Sequence, residues 1–141
     1  MNNNLQQSML EAIEKELKHQ VARLDQPRSR QFHEMLTYHM GWTGEGAGSH
    51  AAGKRIRPLL TLLVVVASNR SGGGDGIYWL RAVSSAAAIE LIHNFSLVHD
   101  DIEDNSDKRR GRMTVWKKWG IAQGINAGDG LFVLSNLALM D

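Results

Sequence analysis

Between Asp100 and Asp107 the sequence "DDIEDNSD" sets five carboxylates in eight positions, and the next five residues, "KRRGR", carry four cations. On a helix, Asp100 and Asp104 fall one turn apart on the same face, with Asp101 about 100° around from Asp100. Like charges at that spacing repel by roughly a few tenths of a kcal/mol per pair on an exposed helix, and by more where water is scarce. A divalent cation reverses the sign. Oxygen-only ligands suit Mg²⁺, which keeps several waters and takes one or two carboxylates, the remainder coming from a substrate phosphate. A closed calcium loop fits badly, because no register of "DDIEDNSDKRRG" puts acidic or amide residues at positions one, three and five with glycine at six. The plain alternative is a solvated acidic helix end. Against it, the run sits at a helix C-terminus, where the macrodipole disfavours anions, and it continues an apolar face.

Two basic groups stand ready for the phosphate. Arg109, Arg110 and Arg112 follow the carboxylates, and an arginine fork binds phosphate oxygens through paired hydrogen bonds. "GKRIRP" places Lys54 and Arg57 at the foot of a glycine-rich loop. Each group alone also suits solvent exposure or a nucleic-acid backbone; beside a carboxylate-bound metal the pair reads as two phosphate sites. His93 lies seven residues before Asp100, about two helical turns, so it shares a stripe with the carboxylates either as a rim residue of the core or as a ligand. "GSHAAGKR" imitates a nucleotide phosphate loop but ends in Arg55 where Ser or Thr should meet the metal, and no apolar strand precedes it.

The elements that must hold these groups read as helices. Met9, Ile13, Leu17, Val21 and Leu24 recur every three or four residues after a start expected to be frayed over residues 1–8, and Pro27 ends that helix. A second helix is expected over 28–40, with Phe32, Met35, Leu36 and His39 on one side. Residues 41–53 read as a mobile glycine-rich loop. Pro58 is suited to open a third helix, "SGGGDG" closes it, and a long helix from Ile77 through Leu80, Val83, Ala87, Leu91, Phe95 and Val98 runs into the acidic cluster. "NSDKRRG" is a loop, and 114–140 is helical with a break near Gly120 to Gly124. No period-two alternation or internal repeat occurs, so strands are not expected. An all-α bundle follows.

Composition narrows the class. The 141 residues, with 43% hydrophobic and 22% charged side chains and net charge +1, suit one ordinary folded domain. With no cysteine, metal ligands are limited to carboxylate and imidazole. The longest apolar run, "LLTLLVVVA", is far shorter than the roughly 20 residues of a membrane span. The start "MNNNLQQSML" lacks the pattern of a secretion signal, so the cytoplasm is the expected location.

"GKRIRP", "ELIHNFSLVHDDIEDNSDKRRGR" and "INAGDGLF", in that order over residues 53–134, resemble the trans-prenyltransferase (polyprenyl diphosphate synthase) family; the middle element is similar to its first aspartate-rich motif. The resemblance implies a helical bundle of the isoprenoid synthase type around a cavity for two diphosphates. Asp100 and Asp104, with Asp101 in support, would hold Mg²⁺ against an allylic diphosphate, and Arg109 would contact that group. Lys54, Arg57, His93 and Arg110 would form the isopentenyl diphosphate site. Metal and cations would draw off the allylic diphosphate, the carbocation would be attacked by the isopentenyl double bond, and a proton would be lost to the departing pyrophosphate. The positions four and five before the first aspartate, Ser96 and Phe95, set chain length in the family, and a small residue beside a ring resembles the geranylgeranyl, medium-chain type. Spacing alone suits plain core packing for Phe95 equally.

The family's second aspartate-rich motif has no counterpart before Asp141, so the match is to the N-terminal half of a single synthase domain, expected to be incomplete by itself. A homodimer, or a partner supplying the C-terminal half, would cover the apolar faces a half-bundle leaves open. Two other readings remain: a non-catalytic subunit of a synthase, and a basic nucleic-acid-binding helical module, which would bind polyanions without Mg²⁺ and with steep salt dependence.

Overall fold

A computed structural model describes residues 3–68 and 78–141. The elements in chain order are α1 (Asn3–Ala22), α2 (Arg30–His39), α3 (Ser49–Ala52), α4 (Ile56–Ser68), a 3-10 turn (Tyr78–Ala82), α5 (Val83–Glu103), the strands β1 (Lys108–Arg109) and β2 (Arg112–Met113), α6 (Val115–Trp119) and α7 (Ile121–Met140). "SGGGDG" and Ile77 lie outside the described residues. Among the described residues no helix is long and apolar enough to cross a membrane.

Met9, Ile13, Leu17 and Val21 are fully buried along one stripe of α1, and Met35 and Leu36 of α2, Leu62 of α4, Leu91 and Val98 of α5 and Leu131 and Leu134 of α7 close the core around them. The start expected to be frayed is helical from Asn3, because Leu5 extends the apolar stripe by another turn and packs on the core. The second helix starts at Arg30, two residues later than expected. Pro58 stands in the first turn of α4, two residues after Ile56, where its missing N–H still costs no helical bond. Leu80, expected on the buried stripe, falls in the 3-10 turn and is exposed, and α5 begins only at Val83. The break expected near Gly120 is there, at the junction of α6 and α7.

The expectation of no strands fails at one place. Lys108 pairs with Met113 and Arg109 with Arg112 in a two-stranded antiparallel hairpin. Arg110 (φ 51°) and Gly111 (φ 78°) form its turn. Positive φ at both turn positions matches the twist of the flanking strands, and two-residue strands are too short to leave an alternation in the sequence.

Residues 41–53 are tied at several points. Gly48 N–H donates to Gly41 O, α3 forms a single helical turn, and Arg112 reaches back to donate to the carbonyls of Tyr38 (2.7 Å), Thr43 (2.5 Å) and Glu45 (2.9 Å). The Arg112 guanidinium also stacks 4.0 Å from the Tyr38 ring, while the Tyr38 hydroxyl donates to Met113 O.

α7 packs closely along α5 because Gly128 has no side chain. A Cβ there would lie 2.2 Å from His99 Nε2, and the imidazole instead occupies that space, 3.2 Å from Ile125 O. The "INAGDGLF" segment is therefore a packing device for the helix that carries the aspartates.

Candidate functional site

The C-terminal end of α5 sorts its carboxylates by face. Asp100 and Asp104 are exposed, and Asp104 caps the helix with its N–H donating to Asp100 O at 2.9 Å. Asp101, turned to the inner face, is 3% exposed. Both of its oxygens accept from Arg109: Nε lies 3.1 and 3.0 Å away, and Nη2 lies 3.0 Å from Oδ1. Of the three aspartates grouped in the sequence as metal ligands, two are open to a hard cation and the third is engaged with an arginine. Two free carboxylates are what Mg²⁺ ordinarily takes from a protein, so the donor set fits the ion. The trio of described residues whose ligand atoms do converge is elsewhere, Glu16, His19 and Asp141, and there Arg23 already occupies the Asp141 carboxylate.

Behind the aspartates the chain is locked. Asn105 (φ 53°) reverses the backbone, and Ser106 N–H donates to Asp101 O at 2.9 Å. Thr114 Oγ1 and Trp116 Nε1 both donate to Ser106 O at 2.9 Å. This anchoring sets where the hairpin starts, and thus where its arginines point.

The basic residues separate into contacts that sequence order hides. Arg109 belongs to Asp101. Arg110 crosses to the glycine-rich segment, donating from Nη1 to Ala51 O at 2.8 Å across 59 positions of sequence. Its guanidinium rests on Gly53 (φ 84°), where a Cβ would come within 2.7 Å of it. Burial, and then the charge of Arg55, lower the Arg110 pKa. Lys54 and Arg57 are exposed, whereas Arg55 between them is 5% exposed. His93 is half-buried; burial first, then the Arg57 charge, hold its imidazole below the ordinary histidine value. The fold therefore brings Arg57 and Arg110 close enough for their charges to act on His93, with Arg109 beside the aspartates, while Lys54 is exposed next to Gly53, on which Arg110 rests. Phe95 sets its ring against His99 (4.7 Å between centroids) and Phe132 of α7 (5.3 Å), and Ser96 Oγ donates to His93 O.

A polar chain beneath this surface escaped the sequence reading. Arg55 Nε donates to Glu14 Oε2 (3.1 Å) and its Nη1 to Glu90 Oε1 (3.0 Å). Asn94 Nδ2 donates to Glu90 Oε1 at 3.2 Å, and Asn94 Oδ1 is 3.1 Å from His39 Nε2. Burial, then the Arg110 and Arg109 charges, depress the His39 pKa to about 3, so it is neutral and can donate Nε2–H to the Asn94 carbonyl. The available signal was Glu90 and Asn94, one turn apart on a stripe shared with Ala87, Leu91 and Val98.

Architecture and site together define an all-α protein of the isoprenoid synthase type. The solved geranylgeranyl pyrophosphate synthetase from Pyrococcus horikoshii superposes with a TM-score of 0.74 at 35% identity, over 97% of this chain and 36% of that one. The chain belongs to the polyprenyl synthetase family, whose model matches residues 47–141. A (2E,6E)-farnesyl diphosphate synthase of Mycobacterium bovis is 39% identical over 133 residues, covering 93% of this chain and 34% of that protein. A geranylgeranyl diphosphate synthase of Saccharolobus solfataricus is 53% identical over 81 residues, 57% of this chain and 22% of that protein. The chain spans little more than a third, at most, of the length of these relatives.

Proposed function

We propose that this chain supplies the allylic diphosphate site and the isopentenyl diphosphate site of a Mg²⁺-dependent trans-prenyltransferase, which condenses the two substrates into a longer, medium-chain prenyl diphosphate. One observation carries the reading: Arg110 lies against Gly53, which joins the basic segment Lys54–Arg57 to the hairpin that follows the aspartates. Like charges repel, so bringing two positively charged segments together carries a Coulomb cost that an anion held between them would offset.

Asp100 and Asp104 would hold Mg²⁺, which when bound supplies Lewis-acid assistance to departure of the allylic diphosphate. Arg109, neutralised in part by Asp101, would orient that diphosphate from the side. Lys54, Arg57 and Arg110 would hold the isopentenyl diphosphate, and His93, its pKa lowered by burial and Arg57, would donate a hydrogen bond to it. The Phe95 ring, backed by His99 and Phe132, would bound the space for a growing hydrocarbon tail, with Ser96 beside it. The nucleic-acid reading loses ground, because the Arg112 fork is taken up by three protein carbonyls and the exposed carboxylates of Asp100 and Asp104 border the basic hairpin. Work in the cytoplasm and assembly with a second copy, or with a chain completing the relatives' length, belong to the same proposal.

The test is incubation of the purified chain with Mg²⁺, isopentenyl diphosphate and farnesyl diphosphate, with product extraction and Asp100→Ala/Asp104→Ala as control. A longer prenyl product, or Mg²⁺-dependent binding of farnesyl diphosphate, is expected, in either case lost in the double variant. Absence of both signals from a folded chain would overturn the reading.

A further inference from the structure

Arg55 is the one member of "GKRIR" whose side chain turns inward. Its backbone is left-handed at φ 49°, a conformation disfavoured for a residue with a side chain, and its neighbours Lys54, Ile56 and Arg57 all face out. A strained backbone persists only where its surroundings over-determine it. Here they do. The Arg55 fork is gripped by Glu14 of α1 and Glu90 of α5, Glu14 also accepts from the Trp42 indole of the glycine-rich segment, and Glu90 is bonded to Asn94 and through it to His39 of α2.

Stability is a poor reason for this arrangement. A buried guanidinium between two carboxylates gains little over apolar packing of the same volume, and Nη2 of Arg55 is buried without a partner. Its geometry offers a better one. Glu90 and Asn94, the two residues of α5 within the network, bracket His93 on the helix, and Arg55 stands between Lys54 and Arg57. One set of buried bonds thus fixes the register of the α4 entrance, which carries Lys54 and Arg57, against the stretch of α5 that carries His93.

We propose that Arg55 is a positioning residue: anchored to Glu14 and Glu90, it holds the backbone that carries Lys54 and aims Arg57 towards His93, and so sets the affinity of the chain for a diphosphate. The proposal rests on the diphosphate reading above. Without the anchor, the segment at 53–56 relaxes to ordinary right-handed or extended backbone, Arg57 swings away from His93 and Lys54 loses its placement.

The experiment is titration of the chain with isopentenyl diphosphate in EDTA, which silences any metal-dependent binding, in parallel with thermal unfolding. Arg55→Met/Glu90→Leu replaces the buried charges by apolar groups; its melting temperature is expected to stay near that of the parent while the dissociation constant rises about tenfold or more, as misplacement of binding groups by about an ångström does elsewhere. Arg55→Lys keeps the charge opposite Glu90 but cannot span both carboxylates; it is expected to fold and to bind several-fold more weakly, and it carries the test if the double variant does not fold. Parent-like affinity in a folded variant of either kind would overturn the proposal. Lys54→Ala/Arg57→Ala separates the two levels: if the parent does not bind, or if this variant binds as the parent does, the diphosphate reading itself falls, and the positioning role with it.

Discussion

Arg109 holds the carboxylate of Asp101 through three contacts of 3.0–3.1 Å, so the innermost aspartate of the motif is neutralised by an arginine eight residues later, across a chain reversal. The motif is therefore divided between two free carboxylates at the surface and one internal ion pair that fastens the hairpin to α5.

This division predicts unequal costs of neutralisation. Asp101→Asn leaves Arg109 beside a buried amide and should cost about 1–3 kcal/mol, reduced from the full penalty of a broken buried pair because Arg109 can turn to solvent. Asp100→Asn should stay within about 0.5 kcal/mol of the parent. Urea midpoints at pH 7 measure both, and equal effects would contradict the assigned pairing.

His39 gives the fold a pH dependence of definite sign. Its folded pKa of about 3 lies below the 6.5 of the free side chain, so as pH falls through 6.5 the unfolded chain takes up a proton that the folded one refuses. Stability contributed by neutral His39 is whole above pH 6.5 and is lost at up to about 1.4 kcal/mol per pH unit down towards pH 3. His39→Gln keeps an amide donor for Asn94 and should flatten that slope between pH 6.5 and 4; an unchanged slope in denaturant unfolding would show that His39 is not the group responsible.

Arg112 should matter more than a surface cation does. Arg112→Ala deletes three hydrogen bonds to carbonyls and the stacking on Tyr38, a loss of about 2 kcal/mol after allowance for partial exposure. Arg112→Lys cannot reproduce the fork and should recover less than half of it. Hydrogen exchange at Gly48 N–H reports the same event locally, with faster exchange expected in both variants.

Gly128→Ala should cost about 1–3 kcal/mol, because the His99 ring, held between Phe95 and Ile125 O, must leave its place. His99→Ala/Gly128→Ala should then cost less than the sum of the single changes, since removing the ring makes room for the methyl. Additive costs from thermal or urea unfolding would mean that the clash is relieved elsewhere.

The helices of the bundle were legible because burial repeats every three to four residues, as at Met9, Ile13, Leu17 and Val21, and the sequence carries that period whatever lies opposite. The hairpin was not, since two residues per strand leave no period, and its turn depends on Arg110 accepting a positive φ. The start of α5 differs from the expectation because Leu80, read as part of the buried stripe, is exposed in the 3-10 turn.

The sequence by itself determined the all-α class, the pairing of an acidic helix end with two basic groups, and the ordered motifs that mark the family, because composition, period and spacing are local properties of a chain. Only the tertiary structure decided which of several adjacent like residues does what. Asp101 differs from Asp100 by about a 100° step around a helix, and Arg55 differs from Lys54 by a single left-handed residue. Each small rotation becomes a commitment through a partner far away in sequence, Glu90 for Arg55 across 35 positions and Ala51 for Arg110 across 59, and no local pattern encodes where those partners come to rest.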